Sequence, residues 1–310
     1  MDHVSHLTRR RVLAGAALAA AAPLAQAQVD GRSQPVLLRR PFKPSDGTDE
    51  RNYFLYVPTG FYTETGREWP VMLFLHGNGQ RGNAQDELDY TLMHGPVREA
   101  WIQGRDLPFL IIQPQLPWYT RRQPSTRPPA PQRATDGPPP ERSRYERSTD
   151  QMVRKETGEA PRWVERGTLD EGWDLIEKDL LTMIFDTLAD FRGDADRVYC
   201  TGLSYGGFGT WHMAQNYPDR FAAVGPVCGA GDPRKMQPIV EAKLPVWIHQ
   251  GGRDPVVPVE HVLASARALE AAGHPEVRMT VHEDLNHDVW TRVYEGDDLY
   301  NWFLRQRRSA

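Results

Sequence analysis

Cysteine is nearly absent from this 310-residue chain, which carries only Cys200 and Cys228. Two thiols cannot build a disulfide-stapled scaffold, and they fall short of the four ligands of a structural zinc site. Neighbouring parallel strands, where both are expected, rarely offer disulfide geometry, so two buried free thiols are predicted. A basic block is also missing from the body of the chain. Lys and Arg number 37 against 41 Asp and Glu, a formal net charge of −4. Residues 1–27 hold Arg9, Arg10 and Arg11 against Asp2, a net +2, so the remainder stands at −6. Such a chain presents no field that would draw nucleic acid. Past residue 27, no apolar stretch approaches the roughly 20 residues that a bilayer-crossing helix needs.

The N-terminus reads as an address. Thr8-Arg9-Arg10-Arg11-Val12-Leu13 precedes an alanine-rich apolar run from Ala14 to Ala22, and Ala25-Gln26-Ala27 offers a small-x-small cleavage pattern. The arginines with a modestly apolar run fit a twin-arginine export signal over 1–27, an ordinary secretory signal being the alternative. The mature chain is therefore expected to start near Gln28 and to be periplasmic or secreted, without a lipid anchor. Residues 28–310 suffice for a single large domain.

Strands and helices alternate along that domain, which predicts an α/β fold with a mostly parallel sheet covered by helices on both faces. Val71–Leu75 is a continuous apolar run, as a strand buried on both faces should be. Tyr53–Val57, Phe109–Ile112, Val198–Thr201, Ala223–Val227, Val246–His249 and Val277–Val281 read as further strands. Helical spacing marks Trp173–Phe191, with Leu175, Ile176, Leu180, Ile184 and Leu188 on the apolar face, then Val259–Ala272 and Asp297–Gln306. Residues 117–170 break the rhythm. They are rich in Pro and Arg, with Pro128-Pro129-Ala130-Pro131 and Pro138-Pro139-Pro140, and read as a surface insertion or a candidate lid.

Gly202-Leu203-Ser204-Tyr205-Gly206 stands between a predicted strand and a predicted helix. Gly-x-Ser-x-Gly in that setting is a nucleophile elbow, a turn so tight that it needs flanking glycines and lifts the hydroxyl above the sheet edge. A serine hydroxyl is a weak nucleophile near neutral pH and needs a base within hydrogen-bond reach. In this fold class the partners follow in the order Ser, acid, His. Asp254, just past the strand Val246–His249, fits the acid, with Asp232 as the alternative. His287, after the last strand, fits the base, whereas His282 ends that strand and is assigned a structural part. The developing oxyanion needs backbone N–H donors. One is the amide of Tyr205. The other is assigned to Asn78, with Gly79 close behind, in the loop Leu75-His76-Gly77-Asn78-Gly79-Gln80-Arg81-Gly82. His76 is expected to brace that loop. The loop lacks the Gly-Lys-Ser/Thr ending of a phosphate binder.

These pieces together resemble secreted α/β-hydrolase carboxylesterases related to polyhydroxybutyrate depolymerase-like, feruloyl and acetylxylan esterases, a group also labelled predicted peptidases. The resemblance rests on Trp69–Gly77 with Arg81-Gly82, Ile112-Gln113-Pro114-Gln115, Val198–Trp211, Asp254-Pro255-Val256-Val257-Pro258 and His287-Asp288-Val289-Trp290. It departs at Gln80, where such sequences often carry an acid, and in the Pro/Arg-rich insertion. It implies a Ser204–His287–Asp254 triad, an acyl-enzyme route, a small-molecule or polymeric ester as substrate, and neither metal nor cofactor. The rivals are a serine peptidase on the same fold and a non-catalytic binding protein on a hydrolase scaffold. Peptidases of this fold usually carry a large preceding domain, for which the stretch between Gln28 and Val71 is too short.

Overall fold

A computed structural model describes residues 28–29, 32–119, 126–134, 169 and 171–308. The expected export signal over 1–27 lies outside them, as does most of the insertion over 117–170.

Eight strands form one sheet: β1 (Val36–Phe42), β2 (Arg51–Val57), β3 (Trp69–Leu75), β4 (Leu110–Gln113), β5 (Gly193–Leu203), β6 (Ala223–Val227), β7 (Val246–Gly251) and β8 (Val277–His282). Their order across the sheet is β8-β7-β6-β5-β3-β4-β2-β1. Strand β2 runs against both of its neighbours, and the remaining pairs are parallel. Apart from this sheet, Gln28–Val29 pairs antiparallel with Arg32–Ser33.

The central strand β3 shows why its sequence has no polar alternation. All seven of its residues are buried, because both faces of the sheet are covered. Val71, Leu73 and Leu75 enter one core, and Met72 and Phe74 enter the other. The first core is closed by α1 (Glu177–Asp190), α2 (Tyr205–Asn216) and, after the short α3 (Gln237–Glu241), α4 (Val259–Ala271). Leu180, Ile184, Trp211, Met213, Val262 and Leu269 supply that closure. The second core is closed by the 3-10 segment Leu88–Met93 and by α5 (Trp290–Glu295) and α6 (Asp298–Arg305). Here Tyr199 stacks on Phe303 with ring centroids 4.9 Å apart, and Phe74 meets Tyr294 edge-on at 5.4 Å. Truncating such a buried ring to Ala costs roughly 3–5 kcal/mol.

Several expectations need adjustment. The stretch Trp173–Phe191 divides into a 3-10 turn, Trp173–Ile176, and then α1. In that tighter turn Leu175 rotates off the apolar face and is 50% exposed, so it is no core residue. Strand β1 was not anticipated, since Arg39 and Arg40 interrupt its apolar pattern. Their guanidinium groups lie over the rings of Phe54 and Phe191, at 5.0 and 5.1 Å from the centroids. Arginine stems can cover apolar surface while the charge stays wet.

Within the insertion, residues 126–134 dock on the body. Arg127 lies over Tyr90 at 4.5 Å and Arg133 over Trp101 at 4.2 Å. Cys200 and Cys228 are free and buried, and burial pushes the Cys200 thiol up to about 12. Among the described residues no helix is long and apolar enough to cross a membrane.

Candidate active site

Ser204 sits at the carboxyl end of β5 with φ 52° and ψ −117°, a conformation that an L-residue adopts only when its surroundings enforce it. Three features do so here. Its amide donates to Val227 O at 3.0 Å, and its carbonyl accepts the first turn of α2 through Phe208 N at 3.1 Å. A Cβ on Gly206 would overlap the carbonyl of Leu75, and one on Gly202 would stand 2.6 Å from that same oxygen. The elbow is thus pressed against the end of β3, where Leu75 pairs in register with Gly202.

That contact brings the loop after β3 beside the serine. Asn78–Gln80 forms a single 3-10 turn, with Asn78 half-buried and Gly79 exposed, and Tyr205 occupies the first position of α2. The first amides of a helix have no carbonyl partner within it and carry the positive end of its dipole. His76 braces the loop. Its Nε2 accepts the amide of Leu116 at 2.9 Å, so its Nδ1 carries the proton and donates to Gly77 O at 2.6 Å. Burial pushes this imidazole down to about 3, which keeps it neutral.

Two further loops meet the elbow. Asp254 follows β7, with its side chain fully buried. Its Oδ1 accepts the amides of Val256 at 2.8 Å and Val257 at 2.9 Å. Its Oδ2 accepts His287 Nδ1 at 2.7 Å and Gln250 Nε2 at 3.0 Å. Because a carboxylate only accepts, Nδ1 bears the imidazole proton, and Nε2 is left as an acceptor 2.9 Å from Ser204 Oγ. The loops of Asp254 and His287 are joined by Gly252 N to His282 O at 2.8 Å and Arg253 N to Leu285 O at 3.0 Å. The indole of Trp290 meets the His287 ring edge-on at 5.3 Å.

Asp232, the alternative acid, is held elsewhere. It caps a 3-10 turn, and Arg234 grips both of its oxygens at 2.9 Å, which lowers its carboxyl below the usual range. His282 stacks on His249 with centroids 5.8 Å apart.

Sequence reasoning missed Gln250, a polar side chain that is fully buried one residue past an apolar run. Its position at the carboxyl end of β7, four residues before Asp254, was the available signal. Among the described residues no group of three or more His, Cys, Asp or Glu could hold a metal ion. A depression of about 570 Å³, lined by Pro218, Lys243, Leu244, Glu276 and Arg307, opens at the amino ends of β6, β7 and β8, the edge opposite Ser204.

The dienelactone hydrolase family model matches residues 145–297. No curated protein matches the chain in sequence. Among solved structures, a thermostable esterase is 26% identical with a TM-score of 0.60, over 88% of this chain and 63% of that one. This chain therefore spans less than two thirds of that esterase. The feruloyl esterase module of Clostridium thermocellum, in complex with sinapinate, is 14% identical with a TM-score of 0.52, covering 87% of each chain. The acylaminoacyl peptidase of Pyrococcus horikoshii is 14% identical with a TM-score of 0.50, over 89% of this chain and 43% of that one. The last two likenesses concern the fold alone.

Proposed function

We propose that this chain, which has the α/β-hydrolase fold, is a serine carboxylesterase working through Ser204, His287 and Asp254. One observation carries the reading: an uninterrupted hydrogen-bond chain from Ser204 Oγ through His287 to Asp254, at 2.9 and 2.7 Å.

In the proposed cycle, Ser204 Oγ attacks the ester carbonyl as its proton passes to His287 Nε2. Asp254 keeps the imidazole in the required tautomer and stabilises its cation. The amides of Asn78 and Tyr205 receive the oxyanion. Collapse of the tetrahedral intermediate breaks the bond to the leaving alkoxide, which takes the proton from Nε2. Water, deprotonated by the same nitrogen, then attacks the acyl-serine ester, and collapse of the second tetrahedral intermediate releases the acid while Nε2 returns the proton to Ser204 Oγ. No cofactor enters these steps, and the substrate is a small or polymeric ester.

Initial rates on acetyl, butyryl, octanoyl and feruloyl esters, with Ser204→Ala as control, test the proposal. Turnover that disappears in the variant supports it. Faster cleavage of a peptide p-nitroanilide than of a p-nitrophenyl ester would replace it with a peptidase. A protein that neither turns over nor reacts with a fluorophosphonate is a binding protein instead. The domain reading carried with the proposal is an export signal over 1–27 and one catalytic domain over 28–310, with the 117–170 insertion inside it. Export is checked by fractionating cells that express the full chain, where cytoplasmic retention of an uncleaved chain would count against it.

A further inference from the structure

Arg81 is a fully buried arginine with no part in the cycle above. A buried cation is costly unless partners surround it, so its partners show what it holds together. Nη1 donates to Pro117 O at 2.9 Å and lies 3.7 Å from Glu171 Oε2, while Nη2 donates to Glu171 O. The guanidinium carbon stands 4.9 Å from the centroid of the Tyr205 ring and 5.6 Å from that of Trp118. Along its own backbone, the Arg81 amide donates to Asn78 O at 3.4 Å, and its carbonyl accepts Arg127 Nη2. One side chain therefore touches the ring of the residue after the serine and both chain segments that flank the insertion, while its backbone closes the turn begun by Asn78.

We infer that Arg81 is a positioning residue for the oxyanion site. It sets the separation of the Asn78 and Tyr205 amides and ties that separation to the docking of the segments at Pro117 and Glu171. The inference rests on the esterase reading. Lysine cannot replace arginine here, because an ammonium lacks the planar fork that reaches Pro117 and Glu171 together and the flat face that lies on Tyr205.

The test compares wild type, Ser204→Ala, Arg81→Lys, Arg81→Met and Glu171→Ala on p-nitrophenyl acetate, with melting temperatures and inhibition by a trifluoromethyl ketone. A lesion of the oxyanion site lowers kcat and the affinity for this transition-state mimic in parallel while leaving KM in place. For Arg81→Lys we expect roughly a tenfold to hundredfold fall in both, the range for a small misplacement of catalytic groups, with KM within twofold. A general loss of structure would instead lower the melting temperature and shrink the active fraction without weakening the ketone for what remains. If both Arg81 variants fail to fold, Glu171→Ala decides, with parallel losses of at least threefold expected. A folded variant whose kcat and ketone affinity stay within twofold of wild type overturns the inference and leaves the esterase reading standing. A wild type without turnover or ketone binding overturns both.

Discussion

Gln250, at the end of β7, and His287, in the loop after β8, donate to the same oxygen of Asp254, at 3.0 and 2.7 Å. The glutamine amide also donates to Val257 O at 2.8 Å, so one side chain ties the carboxylate oxygen that faces the imidazole to the loop after β7. Replacing Gln250 with Leu frees that oxygen to turn. The expected result is roughly a tenfold fall in kcat with KM unchanged, given how steeply rate depends on alignment. Gln250→Glu, which sets a second buried carboxyl beside the first, should cost more than the Leu variant. Steady-state kinetics on a p-nitrophenyl ester read both.

Asp254→Asn keeps the shape of the site and inverts one hydrogen bond. An amide nitrogen facing Nδ1 would favour the tautomer with its proton on Nε2, where it cannot accept from Ser204. A loss of roughly 10⁴ in kcat is expected. Single-turnover acylation, followed by mass spectrometry of the protein, should show the same deficit if acylation is the step affected.

Acid sensitivity should come from buried histidines. Burial pushes His76 and His249 down to about 3 and His94 down to about 4, below the ordinary value of 6.5. Between pH 6.5 and those values the unfolded chain binds protons that the folded chain refuses, so stability falls as pH falls. For His249→Phe, the decline in urea midpoint between pH 7 and pH 5 should be shallower than in wild type. An unchanged slope would mean that His249 does not contribute.

The elbow tolerates no side chain at Gly206, because a Cβ there overlaps the backbone carbonyl of Leu75. Backbone on both sides leaves nothing flexible to yield. Gly206→Ala should destabilise by several kcal/mol, in the range that marks a specific structural conflict. Urea unfolding measures it, and a loss under about 1 kcal/mol would contradict the tightness of the turn.

Both thiols are fully buried, and burial raises them above the ordinary thiol value. Native protein should react with neither equivalent of Ellman's reagent over minutes, and unfolded protein should react with two. Fast native reaction located at Cys228 would show that the wall of the site opens there, since its sulfur lies 3.2 Å from the Ser204 amide.

The parts of the molecule visible in its sequence are those that local chemistry dictates. The apolar run Val71–Leu75 reads as a strand covered on both sides, and the glycines around Ser204 read as a tight turn, and the structure has both. That Ser204, Asp254 and His287 would meet followed from their order after three strands, since parallel strands deliver their carboxyl ends to one edge. Gln250 was marked only by its place at the carboxyl end of β7, and Arg81 by nothing in its neighbourhood that shows its burial. The burial of each depends on partners remote in the chain or on a loop's closure. Leu175 failed in the opposite sense, because one turn of 3-10 geometry moved it off the apolar face.

Strand β8, from which the loop of His287 departs, borders the sheet on one side only, and most of its residues are just partly covered. Ser204 rises from a strand flanked on both sides by others. The proposed base is therefore carried by a margin that can fray while the nucleophile's strand stays intact, because regions with little buried apolar contact open at lower free energy than the whole. Heating should silence the protein in two stages, with activity fading before ellipticity, and amide exchange in 277–287 should be the first to quicken. On this account the working life of the proposed site is set by one frayed border and not by the strength of the core.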